Sequence, residues 1–193
     1  MQIAFIIFDQ MTALDFVGVY DPLTRLKSMG FRPDLGWDIC ARTRDLADDR
    51  ALRFTATRVA EPLGGYDLIV VAGGYGTRTL VNDDSFIAWL KTAAACPLKS
   101  SVCTGSLLLG AAGFLQGKHA TTHPSAYQDL PAFGATVERR RVVDDGDIIT
   151  AGGVTAGIDL GLYLVEKLAG AEVRARISQQ MDYPYSLPVN HQV

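Results

Sequence analysis

A single cysteine, Cys103, stands between residues that predict a strand and residues that predict a helix. The strand is predicted over residues 99–102, and the helix over residues 104–112, which begin Thr-Gly-Ser. At such a strand-to-helix turn, or nucleophile elbow, a side chain is exposed near the positive end of the helix dipole. This position is expected to lower the pKa of a thiol from about 8.5 into the range of roughly 3.5–7.5, and the thiolate is the reactive form. We therefore predict that Cys103 is a nucleophile.

Two glycines and a threonine offer further groups to a site around Cys103. Gly73 and Gly74 follow the clearest buried strand, predicted over residues 67–72. Their amides can stabilise a developing negative charge, as in an oxyanion hole, or the pair can simply form a tight turn that requires positive φ. The hydroxyl of Thr104 either faces a substrate or caps the following helix. The segment does not complete the G-x-G-x-x-G pattern of a dinucleotide site.

Two titratable side chains are candidates for a proton carrier beside Cys103. Asp15 begins the first predicted helix between apolar neighbours, where a carboxyl is either a partner of the helix dipole or a group of raised pKa. A carboxyl that shares a proton with the sulfur would act as general acid and base. His123 follows a short predicted strand and either pairs with the thiolate or is an ordinary loop histidine. No cluster of His, Cys and carboxylates has the spacing of metal ligands, so no metal site is predicted.

The elements that must position these residues alternate along the chain. Strands are predicted over residues 3–8, 37–43, 67–72, 99–102, 119–122, 137–143 and 147–151. Helices are predicted from residue 14, where Gly30 supplies a C-terminal cap, and over residues 83–95, 104–112, 124–130, 154–169 and 172–181. Residues 45–54 read as a hairpin or loop, and residues 139–141, all arginine, as a solvated face of a strand. This alternation predicts a doubly wound α/β domain, in which loops at the carboxyl ends of the strands meet at one crevice.

Length and composition restrict the class of protein. The chain has 193 residues, of which 48% are hydrophobic and 20% charged, and we expect one domain over residues 1–193 with an extended tail from about residue 182. The net charge of −3 gives no electrostatic case for nucleic acid or an anionic membrane as a partner. The first eight residues read as a strand rather than a signal peptide, and no apolar run approaches the roughly 18 residues of a membrane span. Three widely spaced cysteines favour reduced thiols in the cytoplasm.

Several segments together resemble the ThiJ/PfpI superfamily. They are Ala72-Gly-Gly, Val102-Cys-Thr-Gly and the leucine-rich helix after it, Ala120-Thr-Thr-His-Pro, and Gly152-Gly-Val-Thr-Ala-Gly-Ile-Asp. The resemblance covers nearly the whole chain and implies a flavodoxin-like sandwich, with a mostly parallel sheet between helices and the reactive cysteine on a nucleophile elbow. It also implies a homodimer. Leu14-Asp-Phe-Val-Gly, with Asp where many relatives have Glu, resembles the isonitrile hydratase branch, although Pro124 stands where members of that branch more often carry Trp.

The resemblance also implies roles for the candidate residues. Cys103 would be the nucleophile and Asp15 its acid and base partner, with Thr104 assisting binding and the amides of Gly74 and of the residue after the cysteine stabilising negative charge. His123 occupies the family's histidine position, with a less secure role in this branch. The expected reaction is hydration of a small-molecule isonitrile to an N-substituted formamide, without metal or organic cofactor. Two alternatives remain: a glyoxalase III-like activity on α-oxoaldehydes, and a cysteine-based redox or ligand sensor.

Overall fold

The computed structural model describes residues 1–185, and a seven-stranded sheet forms its centre. The strands among these residues are β1 (Gln2–Ile6), β2 (Gly36–Ala41), β3 (Asp45–Ala47), β4 (Arg53–Thr55), β5 (Arg58–Val59), β6 (Leu68–Val71), β7 (Leu98–Val102), β8 (His119–Ala120), β9 (Thr136–Val137), β10 (Val142–Asp145) and β11 (Ile148–Ala151). The α-helices are α1 (Ala13–Ser28), α2 (Thr77–Leu80), α3 (Asp84–Lys91), α4 (Gly105–Ala111), α5 (Ala156–Ala169) and α6 (Ala171–Gln180). No helix in this part of the chain is long and apolar enough to cross a membrane.

The main sheet is parallel except at one edge. Its strand order is β10-β11-β7-β6-β1-β2-β5, and only β10 runs antiparallel to its neighbour. The central strands β1 and β6 carry continuous apolar runs because both of their faces are buried. Two small sheets, β3 with β4 and β8 with β9, lie outside the main one. The predicted doubly wound, mostly parallel α/β fold is confirmed.

The order of the strands determines where the site lies in the fold. From β1 the chain moves to β2 on one side, and from β6 it moves to β7 on the other. Right-handed crossovers in opposite directions put α1 and α3 on opposite faces of the sheet. The loops after β1 and β6 therefore separate from each other at the point where the winding reverses, and a crevice opens between them at the carboxyl ends of these strands.

Most predicted elements are present with shifted ends. The predicted C-terminal cap of the first helix holds, because Gly30 has a φ of +78° just beyond α1. Residues 45–54 form the β3–β4 hairpin. The helix predicted over residues 83–95 is α3 followed by a 3₁₀ turn, Thr92–Ala95, and the one over residues 124–130 is replaced by two 3₁₀ turns, Pro124–Ala126 and Leu130–Phe133.

One predicted strand, over residues 137–143, is wrong. Its first residue ends β9, which pairs with β8, while residues 142 and 143 begin β10, which pairs with β11. The three arginines lie on irregular backbone between these two strands, because one continuous strand cannot serve two different sheets. The predicted tail is only partly covered: residues 182–185 follow α6 in neither helix nor strand, and residues 186–193 lie outside the described residues.

Helix α1, which carries Asp15, packs closely against α5 through small residues. A Cβ added at Gly161 would lie 2.8 Å from the Cγ of Pro22 and 3.1 Å from the carbonyl oxygen of Val19, both in α1. We expect Gly161→Val to lower the free energy of unfolding by roughly 1–3 kcal/mol, because the two helices must separate. Urea unfolding measures the change. Gly65→Val is the control: a Cβ there meets no atom within 4 Å, so an equal loss in both variants would contradict the explanation.

Candidate active site

Cys103 lies at the turn between β7 and α4 in a left-handed backbone conformation, with φ of +56°. The turn is held on both sides: the Cys103 amide donates to the carbonyls of Ala151 and Gly152, each at 2.9 Å, and its carbonyl accepts from the Thr122 hydroxyl at 3.1 Å. A residue other than glycine rarely adopts this conformation, so the surrounding bonds maintain a strained elbow. The predicted strand-to-helix elbow at Cys103 is present, and the role of its sulfur as a nucleophile remains a prediction.

Asp15 lies in the first turn of α1, and its side chain is fully buried against the sulfur. The carboxyl lies beside the Cys103 side chain; its Oδ2 accepts the Gly73 amide at 3.2 Å, and its buried Oδ1 has no hydrogen-bond partner within residues 1–185. A Cβ at Gly73 would lie 2.7 Å from each of three atoms: Asp15 Oδ2, Cys103 Cβ and the Thr104 nitrogen. Glycine is therefore required at position 73 for the carboxyl and the sulfur to meet.

Burial raises the pKa of both members of this pair. The pKa of Asp15 rises to about 7, first because the carboxyl is buried and then because Asp49 is nearby, against opposing hydrogen bonds from Cys103 and Gly73. The pKa of the Cys103 thiol rises to about 12, because burial and the charge of Asp15 outweigh hydrogen bonds from Thr104. The two groups titrate as a unit, which holds one proton and one negative charge above pH 7. The expectation of a lowered thiol pKa at the elbow is wrong, since it considered the helix dipole without the buried carboxylate.

The structure excludes one of the two roles that the sequence left open for Thr104, that of a helix cap; Thr104 lines the same pocket as Cys103, and its role in substrate binding remains a prediction. Its hydroxyl does not cap α4; it lies 3.0 Å from the Gly74 amide and 3.1 Å from the Gly74 carbonyl, and the Thr77 hydroxyl donates to it at 3.0 Å. Both the amide and the hydroxyl of Thr104 also act to lower the pKa of the neighbouring Cys103 thiol. Thr104 therefore ties the elbow to the loop after β6.

The predicted oxyanion hole at Gly73 and Gly74 needs correction. The Gly73 amide donates to Asp15 and the Gly74 amide to Thr104, so both donors are already used. The charge that Gly73 stabilises is that of the Asp15 carboxylate itself. Gly74 has a φ of +131°, so the alternative of a turn that requires positive φ holds for this residue.

His123 lines the same pocket as Cys103 without a hydrogen bond to the sulfur among the described residues. Its Nδ1 accepts the Ser125 amide at 3.2 Å and lies 2.8 Å from the Ser125 hydroxyl. The neutral ring therefore carries its proton on Nε2 and offers a donor to its surroundings. The ring packs on Gly153, where a Cβ would lie 2.5 Å from a ring carbon.

The pocket above the sulfur, here called the Cys103 pocket, has a volume of about 400 Å³. Sequence reasoning missed Asp49, Arg50 and Ser125 among its lining residues. Asp49 is paired with Arg50 at 3.0 Å, and Arg78 with Asp129 at 2.6 Å. Asp49 and Arg50 follow β3, a short strand of the small hairpin, and only the tertiary fold brings them over the sulfur. Within residues 1–185 no three His, Cys, Asp or Glu side chains are grouped as metal ligands would be.

A doubly wound sheet with a cysteine elbow at its switch point, and a buried carboxyl against the sulfur, defines a class of α/β proteins built around a reactive thiol. The chain belongs to the DJ-1/PfpI family, whose sequence model matches residues 1–167. This confirms the resemblance found in the sequence motifs.

Individual relatives agree with the family assignment. Isonitrile hydratase from Pseudomonas putida is 38% identical over 190 residues, covering 97% of this chain and 81% of that protein. Protein DJ-1alpha from Drosophila melanogaster is 30% identical over 148 residues, covering 76% of this chain and 66% of that protein. The crystal structure of a ThiJ/PfpI family protein from Pseudomonas syringae has a TM-score of 0.88 and 31% identity, covering 100% of this chain and 78% of that one.

The raised pKa of Asp15 predicts a pH-dependent cost to stability. An unfolded Asp ionises near pH 4, whereas Asp15 holds its proton until about pH 7 in the folded chain. The folded state therefore loses stability as pH rises between these values, by up to about 4 kcal/mol. We expect Asp15→Asn to gain stability relative to the wild type by this order between pH 4 and pH 8. Urea unfolding of both proteins at the two pH values measures it, and a difference independent of pH would contradict the buried-carboxylate explanation.

Proposed function

We propose that the protein is an isonitrile hydratase-like enzyme, a lyase that adds water to an isonitrile, R–NC, and forms an N-substituted formamide. The observation that carries this proposal is the fully buried Asp15 carboxyl beside Cys103, whose side chain lines a pocket of about 400 Å³. The 38% identity to isonitrile hydratase of Pseudomonas putida over 97% of the chain supports it.

The chemistry of isonitriles suits such a pair. The terminal carbon of R–NC must receive both a nucleophile and a proton, so the two groups that supply them must reach one atom. A thiol in contact with a carboxyl meets this requirement. Above pH 7 the Asp15–Cys103 pair holds one proton, and the addition transfers one proton to the terminal carbon.

In the first half of the reaction the Asp15 carboxylate accepts the thiol proton of Cys103 while the sulfur bonds to the terminal carbon. Asp15 then delivers that proton to the same carbon. The product is a thioimidate, R–N=CH–S–Cys103, and Asp15 is again a carboxylate. The Gly73 amide, which donates to Oδ2, stabilises that charge.

In the second half Asp15 removes a proton from a water molecule as its oxygen bonds to the thioimidate carbon, and passes the proton to the nitrogen. The resulting R–NH–CH(OH)–S–Cys103 collapses: its C–S bond breaks, and the hydroxyl proton returns through Asp15 to the sulfur. The formamide R–NH–CHO leaves, and the thiol is restored. Thr104, which acts to lower the pKa of the thiol, stabilises the sulfur as the leaving group. The steps use no cofactor.

The first test removes the sulfur. Cys103→Ala is expected to lower formamide production from a simple alkyl or aryl isonitrile by roughly a thousandfold or more, because no thioimidate can form. Formamide is quantified by proton NMR or chromatography. Cys96→Ala removes another buried thiol, outside the Cys103 pocket, and is expected to retain activity. A wild type that produces no formamide from any such isonitrile would make the proposal wrong.

The second test is the pH dependence. Below about pH 7 the Asp15–Cys103 pair holds two protons, and no carboxylate is present to accept the thiol proton. We therefore expect kcat/KM for an isonitrile to rise about tenfold per pH unit up to about pH 7 and then to level off. Initial rates measured between pH 5 and pH 9 would show this rise and the plateau that follows it. A kcat/KM that falls over this pH range would contradict Asp15 as the proton carrier.

The two alternative functions would use the same sulfur as the hydratase, and each has its own experimental test. A glyoxalase III-like enzyme would consume methylglyoxal, so loss of methylglyoxal is measured beside loss of isonitrile, with Cys103→Ala as the control. A redox sensor would show selective oxidation of Cys103 over Cys40 and Cys96 by mass spectrometry after mild peroxide. The homodimer and the cytoplasmic location remain predictions.

A further inference from the structure

A second cavity, of about 390 Å³, adjoins the Cys103 pocket, because His123 and Val154 line both. We call it the arginine cavity. Its walls also include Tyr127, the three consecutive arginines at positions 139–141, and Thr155. The proposed hydratase reaction uses none of these arginines.

The backbone explains why three consecutive arginines line one cavity. In a strand, successive side chains point to opposite faces, so the middle arginine would point away from its neighbours. Here β9 ends at Val137 and β10 begins at Val142, and the arginines between them belong to neither strand. This irregular segment brings all three to the same cavity.

The charges around the arginine cavity do not cancel. Arg141 is paired with the buried Asp159, at 2.6 Å from its Nε, and Arg140 with Glu138 at 3.3 Å. Arg139 lies over the ring of Tyr127, 5.5 Å from its centroid. Within residues 1–185 no carboxylate oxygen lies within 4 Å of the Arg139 guanidinium nitrogens, so this positive charge has no ionic partner in that part of the chain.

The guanidinium of Arg139, rather than the start of α5, is the group that can bind an anion here. The first amides of that helix, those of Ala156, Gly157 and Ile158, each donate to the carbonyl three residues earlier. The aromatic ring of Tyr127 supports the Arg139 guanidinium from one side, and its five N–H donors suit a carboxylate.

We propose that the arginine cavity is a subsite for the carboxylate of the substrate, so that the preferred substrates are isonitriles that carry a carboxylate at the other end of the molecule. This rests on the proposed function: the isonitrile carbon reaches Cys103 in its pocket, and the chain passes His123 and Val154 into the neighbouring cavity. Arg139 binds the carboxylate and fixes specificity without taking part in the chemistry at the sulfur.

The test compares matched substrates. We measure kcat/KM for ω-isocyanoalkanoates of increasing length and for their methyl esters, which have nearly the same shape without the charge. The wild type is expected to prefer the acid at one length by about tenfold or more, which is the strength of a hydrogen-bonded charge pair. Arg139→Gln removes that preference and leaves the esters within about twofold.

The matched control is Arg176→Gln. Arg176 also lies over an aromatic ring, that of Phe31 at 4.9 Å, and is on α6 away from both cavities. This variant loses the same charge and the same kind of contact, and both substrate classes are expected to react as with the wild type. Equal losses on acids and esters in Arg139→Gln, or a wild type without preference for any acid, would overturn the subsite.

A binding measurement separates this inference from the proposed function. The hydration products, ω-formamidoalkanoates and their methyl esters, are titrated calorimetrically into Cys103→Ala and into the double variant that also carries Arg139→Gln. Binding of the acids that exceeds that of the esters and depends on Arg139 supports the subsite even if the wild type hydrates no isonitrile, in which case only the proposed function falls. Binding that is independent of Arg139 overturns the subsite whatever the activity.

Discussion

The close approach of the buried Asp15 carboxyl to Cys103 determines how the rest of the site is built. It joins the start of α1 to the elbow before α4, and the loop after β6 must pass between them with no side chain at position 73. The close packing of α1 against α5 keeps the carboxyl in place. The strained backbone of Cys103 is held by its amide, which donates to the carbonyls of Ala151 and Gly152, and by its carbonyl, which accepts from the Thr122 hydroxyl. The buried Asp15–Cys103 pair is maintained because these packing contacts and hydrogen bonds support one another.

Burial of this pair also decides its chemistry. A thiol at the start of a helix would ordinarily ionise more easily, but the buried carboxylate and the loss of water have the larger effect. The proton therefore stays within the pair above pH 7 and moves between sulfur and oxygen as the reaction needs it. A proton carrier with a pKa of about 7 is well matched to acid and base catalysis near neutral pH. Burial of Asp15 thus lowers the stability of the folded state as the pH rises towards 7. In the proposed mechanism, the same burial gives the carboxyl the pKa that acid and base catalysis uses.

The surroundings of the pair divide into two regions with different tasks. The Cys103 pocket holds the groups that would make and break bonds, and the charges at its entrance, Arg50 and Arg78, are each paired with an acid. The adjoining arginine cavity contains an unpaired guanidinium, that of Arg139, supported by an aromatic ring. In the proposed function, reaction chemistry and recognition of a charged end would therefore belong to separate elements. The family's shared fold accommodates this because the recognising segment is irregular backbone outside the main sheet.

The sequence by itself determined the α/β class, most elements and the elbow at Cys103, because apolar periodicity and the residues at strand ends are local signals. These signals left Asp15 and His123 both open as partners of Cys103, and the resemblance to the family favoured Asp15. It did not determine what the Gly73 and Gly74 amides bind, since that depends on Asp15 and Thr104, distant in the chain. The raised pKa of the thiol depends on desolvation, which no local pattern reports. The strand predicted through the three arginines failed because their flanks pair in two different sheets. Tertiary packing alone decided these points, because each is a contact between segments that are far apart in sequence.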